Sequence, residues 1–336
     1  MTRKTQKLSA KAPLRLTGSQ LLFGWFSIFC LLLIFKNAPL ANESIRNGLL
    51  LCAQTVIPSL FPFMVLSDLL ISSDMGERVI SYVSRPSERL FRLPPAALCA
   101  MVLGLLCGFP VGARGIANAC KSGKLSRRDA ERVLPFANMP SPAFVIGVVG
   151  TSLWKNVRFG IALYLCMTVC VLLFAFFLPR IKKEKKDTLS FFSFDSSLSR
   201  KTGGVKLFTE SISSATRGIL SVCAYVIFFS ALMGALQSIF LRFHTPPSLF
   251  SFLSCLFELS QGVNSAAQPH SFTAALLCAF ACGWSGFSVH CQVICSCDGL
   301  GLSYRGYFIN KLLLGVSCAL AFGVLIFFFP SLLLPA

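Results

Sequence analysis

The stretch GLLCGFPVGAR, residues 104–114, places three glycines, a proline and an arginine inside otherwise apolar sequence. Glycine and proline interrupt helical hydrogen bonding, and a bilayer offers no water to replace the lost bonds. Non-helical backbone at membrane depth therefore persists only where it is buried in protein or lines a cavity. An arginine there costs at least about 2.5 kcal/mol on insertion scales. The stretch therefore predicts a binding site in a membrane protein.

The composition agrees with this prediction. Of the 336 residues, 54% are hydrophobic and 13% are charged, and the mean hydropathy is +0.71. That is too apolar for a soluble domain. The net charge is +18, but the basic residues lie in short blocks between apolar segments, a pattern typical of cytoplasmic loops rather than of a nucleic-acid-binding surface. We expect an all-α polytopic membrane protein whose partner is the lipid bilayer and not nucleic acid.

The cysteines do not predict a metal site. Most of the 15 cysteines lie in apolar runs, where cysteine packs as a small hydrophobic residue. The densest group, His290, Cys291, Cys295 and Cys297, lacks the paired spacing of metal ligands. We therefore expect no metal and no other cofactor. We also expect no enzyme activity, because the chain shows no nucleophile with a base and no nucleotide-binding loop.

The basic blocks divide the chain. The predicted parts are a basic cytoplasmic tail (1–18), a first membrane half (19–178), a basic cytoplasmic linker (179–212) and a second membrane half (213–336). The positive-inside rule also places the basic blocks at residues 72–95 and 121–132 in the cytoplasm. Following the spans from there predicts that both termini are cytoplasmic, and that the turn at residues 155–158, Arg305 and Lys311 are on the outer side.

Two glycine-broken segments are predicted to be re-entrant. Residues 96–120 lie between two cytoplasmic blocks, so we expect a hairpin with its tip at GFPVG, although a tilted full span is the alternative. Residues 272–297, which contain ACGWSGFSVH, repeat this design on the outer side. Residues 248–263 are short for a span and suggest a half-helix or a re-entrant piece. The halves would then be inverted repeats, as in secondary transporters, unless the glycines only allow close helix packing.

These residues also carry a family resemblance. The run from GLLCGFPVGAR to FANMPSPAFVIG, residues 104–147, resembles the signature region of sporulation integral membrane proteins with a nucleoside-recognition (Gate) domain. More narrowly it is similar to the stage V family YlbJ/SpoVV. IPSLFPF, FELSQG and GWSGFSVHCQV support the resemblance, which covers residues 42–315. It implies a transporter that moves dipicolinate out of the mother-cell cytoplasm across the outer forespore membrane. The chain is short for the family, and its linker is brief.

The predicted substrate site takes residues from three broken segments. Interrupted helices present free N–H groups and positive dipole ends to an anion, and Arg114 would add a bidentate fork. The ring contacts would come from aromatic side chains. The full set is Gly108, Phe109, Pro110, Gly112, Arg114, Asn138, Ser141, Gly283, Trp284, Ser285, Gly286, Ser288 and His290. Arg114 snorkelling to the cytoplasmic face and His290 being a packed core histidine remain the alternatives.

Glu258 is predicted to cap or pair within the fold, or to carry a coupling proton. The predicted function is transport of dipicolinate, a small organic dianion, from the mother cell toward the forespore. The alternatives are a non-transporting scaffold for maturation of the spore envelope or cortex, and a nucleoside-type carrier. Other sporulation membrane proteins are further candidate partners. Energy coupling, transport direction and oligomeric state stay open.

Overall fold

A computed structural model describes residues 18–71, 82, 91, 93–121, 123–177, 204–267 and 270–334. Within these residues the chain has thirteen α-helices and no strand. Four segments are long and apolar enough to cross a membrane, and a bent pair of helices makes a fifth. The protein is therefore an all-α polytopic membrane protein, as the sequence predicts. The predicted cytoplasmic tail, most of the block at residues 72–95, and most of the linker lie outside the described residues.

The helices, in chain order, are α1 (Gly18–Lys36), α2 (Ala38–Leu51), α3 (Ile57–Ile71), α4 (Pro95–Cys107), α5 (Val111–Lys121), α6 (Arg127–Ala137), α7 (Val157–Phe177), α8 (Gly204–Arg242), α9 (Pro247–Phe257), α10 (Leu259–Ala266), α11 (Phe272–Trp284), α12 (Gly286–Ser296) and α13 (Arg305–Phe328). A π-helix, Ala143–Leu153, lies between α6 and α7, a π-helical segment, Cys52–Val56, lies between α2 and α3, and a 3₁₀ turn, Pro330–Leu333, follows α13.

The N-terminal helices pack along α8. The chain bends by 97° between α1 and α2, and α2 and α3 then run antiparallel to α8. Ser238 Oγ donates to Asn37 Oδ1 at 2.6 Å near one end of this contact. Met64 packs against Gly218 near the other. With 39 residues, α8 is about 58 Å long at the usual rise per residue.

Helices α4 and α5 form a hairpin, and its glycines explain how closely they pack. The chain reverses at Gly108, whose φ of 78° favours a residue without a side chain. A Cβ at Gly112 would lie 3.0 Å from Gly104 Cα, and a Cβ at either residue would overlap the carbonyl of Ala137 at the end of α6. The two glycines therefore form a notch that holds the end of α6. That this hairpin enters the membrane without crossing it stays a prediction.

The second half repeats the order of the first. In the first half, the α4–α5 hairpin is followed by a helix interrupted at residues 138–142 and then by continuous α7. In the second half, α9 and α10 form a hairpin at Glu258, α11 and α12 are separated at Ser285, and α13 is continuous. By this order of elements, the α4–α5 hairpin corresponds to the α9–α10 hairpin. The sequence pattern instead predicts that the α4–α5 hairpin corresponds to residues 272–297. Phe272–Ser296 is long enough to span, and its re-entrant character stays a prediction.

The loop before α13 meets the first turns of α6 at one end of the molecule. The backbone N–H of Ser303 donates to Glu131 Oε1 at 2.7 Å, and the guanidinium of Arg127 packs against Gly301. The loop that leads into Arg305 therefore lies beside the basic block at residues 121–132, which is predicted to be cytoplasmic. The prediction that Arg305 is on the outer side disagrees with this contact. The prediction that Lys311 is in an outer segment is wrong, because Lys311 is fully buried within α13.

The opposite end holds the last described residues. Asn156 Nδ2 donates to the carbonyls of Leu332 at 3.1 Å and Leu334 at 2.7 Å. His270 Nε2 lies 3.2 Å from the carbonyl of Leu153. The turn predicted to be outside and the C-terminal residues predicted to be cytoplasmic therefore share one end. At least one of these two predictions is therefore wrong. Helix α13 runs from the end with Arg305 to the end with Asn156.

We expect a tag after residue 334 to lie on the opposite side of the membrane from a tag beside Gly123. Gly123 and Gly299 are suitable positions, because nothing lies within 4 Å of a side chain added at either. Antibody access to single epitopes in inside-out and right-side-out vesicles measures this. The Gly299 tag serves as the control and is expected on the Gly123 side. Equal access to the Gly123 and C-terminal tags from one side would contradict the fold.

We expect Gly104→Ala and Gly112→Ala to destabilise the protein, because each added methyl group overlaps the Ala137 carbonyl. Overpacking of this kind costs about 1–3 kcal/mol. The midpoint of thermal unfolding in detergent, measured by the monodisperse fraction after heating, reports the loss. Gly147→Ala is the matched control, since nothing lies within 4 Å of that position. Equal unfolding midpoints for all three variants would contradict the tight packing of the Ala137 carbonyl against Gly104 and Gly112.

Candidate functional site

The amine of Lys311 lies where the two interrupted helices meet. Lys311 is fully buried on α13. Its Nζ donates to the carbonyl of Asn138 at 2.9 Å and to Ser285 Oγ at 2.9 Å, and Met139 Sδ lies at 3.5 Å. Asn138 belongs to the interruption of the first half and Ser285 to that of the second. One side chain therefore joins the two breaks.

The local sequence explains why acceptors are available there. Pro140 and Pro142 follow Asn138, and proline has no backbone N–H and cannot continue the hydrogen-bond pattern of a helix. At the other break, Ser285 has a φ of 79°, in the left-handed region that a residue with a side chain rarely adopts. Backbone groups freed by such breaks need other partners when buried. The Asn138 carbonyl finds its partner in Lys311.

Several buried polar atoms near the two breaks make no hydrogen bond of standard geometry among the described residues: both amide atoms of Asn138, Ser288 Oγ and His290 Nε2. The Asn138 amide lies near the Tyr307 hydroxyl, and Ser288 lies near the Glu258 carboxylate. The other ring nitrogen of His290, Nδ1, is hydrogen bonded to the hydroxyl of Tyr307 at 2.8 Å, which fixes the orientation of the ring. Buried polar groups are normally paired. We call Asn138, Ser285, Ser288, His290 and Lys311 the Lys311 cluster, and its unpaired atoms are available to a ligand.

The amine has no carboxylate partner in the part of the chain that the structure describes. The ion pairs found there are Arg127–Glu131 and Lys206–Glu210, both with partly exposed side chains. A buried charge is strongly unfavourable unless an opposite charge or several hydrogen bonds compensate for it. A protonated Lys311 therefore favours an anion beside it.

Aromatic rings border the Lys311 cluster. The ring centroids of Trp284 and His290 are 4.3 Å apart, and those of His290 and Phe308 are 5.2 Å apart, both edge to face. Trp284 Nε1 donates to the carbonyl of Leu256 at 3.0 Å, which ties α11 to the end of α9. These rings place apolar surface beside the polar atoms, and the predicted ring contact of Trp284 with a substrate stays a prediction.

Glu258 separates α9 from α10 and is buried. Its carboxylate accepts a hydrogen bond from the backbone N–H of Gln261 at 2.6 Å, so it caps the first turn of α10. Ser260 and Ser288 lie near the same carboxylate. The capping contact is one of the alternatives that the sequence leaves open, and a role in proton coupling stays a prediction.

Arg114 lies elsewhere, in a cavity of about 280 Å³. Its wall includes Pro110, Arg114, Ser221, Tyr225, Gln292 and Ser296, from the α4–α5 hairpin, α8 and α12. We call it the Arg114 cavity. Within the described ranges, no hydrogen bond joins Arg114 to a member of the Lys311 cluster. Arg114, predicted to bind the substrate, and the buried amine of Lys311 therefore lie in two separate places, the Arg114 cavity and the Lys311 cluster, which α12 connects.

The remaining predicted residues mostly support packing. Gly108 lies against Ser141, whose Oγ accepts from the N–H of Phe144 at 3.3 Å. A Cβ at Gly283 would lie 2.7 Å from Gly315 Cα on α13, and a Cβ at Gly286 would lie 3.2 Å from Glu258 Cα. Phe109 is half-buried. These positions hold the interrupted helices together rather than offering polar atoms to a ligand.

Sequence reasoning missed Lys311, Tyr307 and Gln292. A signal for Lys311 was present, because an ionisable residue in apolar sequence is by default a functional hypothesis. The same rule that singled out Arg114 applies to it. Its position shortly after Arg305 led to its assignment to a loop. Tyr307 and Gln292 carry no comparable signal, since their roles come from contacts between helices.

A curated relative aligns along most of the chain. The two sequences are 28% identical over 330 residues, and the match covers 89% of this chain and 81% of the sporulation integral membrane protein YlbJ of Bacillus subtilis (strain 168). This similarity supports the assignment of the chain to the YlbJ family of sporulation integral membrane proteins. No family model matches the chain, so the Gate domain stays a prediction, and no solved structure matches it. The similarity to a sporulation integral membrane protein supports a membrane function in sporulation.

We expect Ser285→Ala and Ser285→Gly to separate two roles of Ser285. Both variants lose the hydroxyl that accepts from Lys311, a bond worth about 1.5–3 kcal/mol if the amine is charged. The glycine variant also relieves the left-handed backbone, worth about 1–2 kcal/mol. Thermal unfolding in detergent should therefore rank the wild type and Ser285→Gly close together, with Ser285→Ala clearly lower. If Ser285→Ala is as stable as the wild type, the bond to Lys311 contributes nothing to stability.

Proposed function

We propose that this chain is a transporter that moves a small organic dianion, dipicolinate, out of the mother-cell cytoplasm across the outer forespore membrane. The observation that carries the proposal is the buried amine of Lys311, which joins the two interrupted helices and has no carboxylate partner among the described residues. The similarity to the YlbJ protein supports the sporulation setting.

The chemistry of the Lys311 cluster suits a flat aromatic dicarboxylate. A carboxylate needs cationic or N–H and O–H donors. The Lys311 amine and the Asn138 amide nitrogen would provide them, and the Ser288 hydroxyl, which lies near Glu258, would have to turn toward the ligand. The edge of the ligand ring would lie against Trp284 and Phe308. Interrupted helices at matching positions of two halves are also where secondary transporters bind their substrates.

The same contacts suggest how binding is linked to movement. Lys311 donates to the Asn138 carbonyl and to the Ser285 hydroxyl, one from each half. A bound carboxylate competes for the protons of the amine and weakens this link between the interrupted helices. A ligand shifts a conformational equilibrium only through contacts that differ between the two states. The exchange of partners at Lys311 supplies that difference.

The fold also supports an orientation for the transporter. If the basic block at residues 121–132 is cytoplasmic, as the positive-inside rule favours, Arg305 is cytoplasmic too and residues 330–334 face the space between the two forespore membranes. This revises the proposed location of the C-terminal end and keeps the location in the outer forespore membrane.

We expect Lys311→Met to reduce uptake of radiolabelled dipicolinate into proteoliposomes by about tenfold or more, because loss of a charged hydrogen bond is worth about 1.5–3 kcal/mol and 1.4 kcal/mol is a factor of ten. Lys155→Met, at an exposed turn, is the matched control and should transport normally. Uptake by Lys311→Met within twofold of the wild type would contradict the proposal. Measurements with and without a pH gradient establish whether protons are coupled.

A second variant guards against misfolding. Ser288→Ala removes a hydroxyl that lies near the Glu258 carboxylate but makes no hydrogen bond of standard geometry among the described residues, so it should change the unfolding midpoint little while weakening dipicolinate uptake. If the protein takes up radiolabelled uridine, and dipicolinate does not inhibit that uptake, the nucleoside-type carrier is favoured. Folded protein that transports neither compound and co-purifies with other sporulation membrane proteins would favour the scaffold.

A further inference from the structure

The Arg114 cavity contains charged and polar groups that the Lys311 cluster does not use. Arg114 contributes a guanidinium that is always charged, and none of the ion pairs in the described part of the chain includes it. Gln292 is 5% exposed, and its Oε1 has no hydrogen-bond partner among the described residues. The hydroxyl-bearing residues Ser221 and Tyr225 reach the cavity from α8. A cation and an unpaired buried acceptor therefore face the same space.

The position of the cavity relates it to the Lys311 cluster. Helix α12 begins after Ser285 at the cluster and ends at Ser296 in the wall of the cavity. Just beyond it, Cys297 Sγ lies 3.8 Å from the carbonyl of Ala113, and the chain continues to the loop that contacts Glu131. The cavity is therefore between the Lys311 cluster and the end of the molecule that carries the basic block at residues 121–132.

We propose that the Arg114 cavity is a vestibule on that side of the protein, which binds a carboxylate group of a small organic anion before the anion reaches Lys311. This inference deepens the proposed transport function and rests on it. Arg114 pairs with the carboxylate, and the Gln292 carbonyl accepts a hydrogen bond from a water that bridges to the anion. The volume of about 280 Å³ is close to the lower limit of about 300 Å³ for ligand pockets, so the vestibule suits a small molecule.

Two native cysteines on α12 make the vestibule testable without an assumed substrate. Cys291 and Cys295 are both exposed, and Cys295 lines the cavity. In purified protein, the rates of modification by an anionic and by a cationic methanethiosulfonate are measured at each cysteine by mass spectrometry. We expect the ratio of the anionic to the cationic rate to be higher at Cys295 than at Cys291. Arg114→Gln should lower this preference at Cys295 severalfold, and Arg114→Lys should keep it. No change at Cys295 in Arg114→Gln would overturn the vestibule.

Substrate protection completes the test and separates this inference from the proposed function. We expect dipicolinate, and isophthalate as a dicarboxylate without the ring nitrogen, to slow modification of Cys295 but not of Cys291. Protection should persist in Lys311→Met and disappear in Arg114→Gln. Dipicolinate transport without protection of Cys295 would overturn the vestibule alone. Protection without transport would overturn the proposed function and leave the vestibule supported as an anion site.

Discussion

The contact on which the rest of the structure depends is the pair of hydrogen bonds from the Lys311 amine to Asn138 and Ser285. A buried amine needs acceptors, and an intact helix has none to spare because its carbonyls are already used. The two interruptions create those acceptors. In turn, the interruptions expose backbone groups that would be unfavourable in lipid without a polar partner. The amine and the two breaks therefore require each other.

Glycines allow this arrangement to form. Gly104 and Gly112 admit the Ala137 carbonyl and so fix the residue just before the first break, and Gly283 and Gly315 bring α11 and α13 together just before the second. In lipid there is no hydrophobic driving force for helices to associate, so they pack through close backbone contacts at small residues. The stretch GLLCGFPVGAR, which first suggested a binding site, positions one side of the Lys311 cluster by packing and contributes Arg114 to a separate cavity.

Much of the fold was predictable, and the site was predictable in part. The apolar composition and basic blocks predict a helical membrane protein, and glycine and proline mark the breaks near Asn138 and Ser285 correctly. Lys311 was missed because charge counting treats a lysine near Arg305 as part of a loop, whereas only packing shows that it points inward. The shared end of Asn156 and Leu334 joins residues far apart in sequence, and charge patterns carry no information about such contacts. Gln292 and Arg114 line one cavity, and this too depends on tertiary contacts that the sequence pattern does not contain.

The length of α8 has a geometrical consequence. At about 58 Å the helix is nearly twice as long as the hydrocarbon thickness of about 30 Å, so it tilts strongly or extends beyond the bilayer. Its first residues, exposed Val205 and Phe208 among them, form the end of the predicted basic linker (179–212), and Ser221 and Tyr225 further along form a wall of the Arg114 cavity. One helix without a break therefore connects the end of the predicted linker to the wall of the Arg114 cavity.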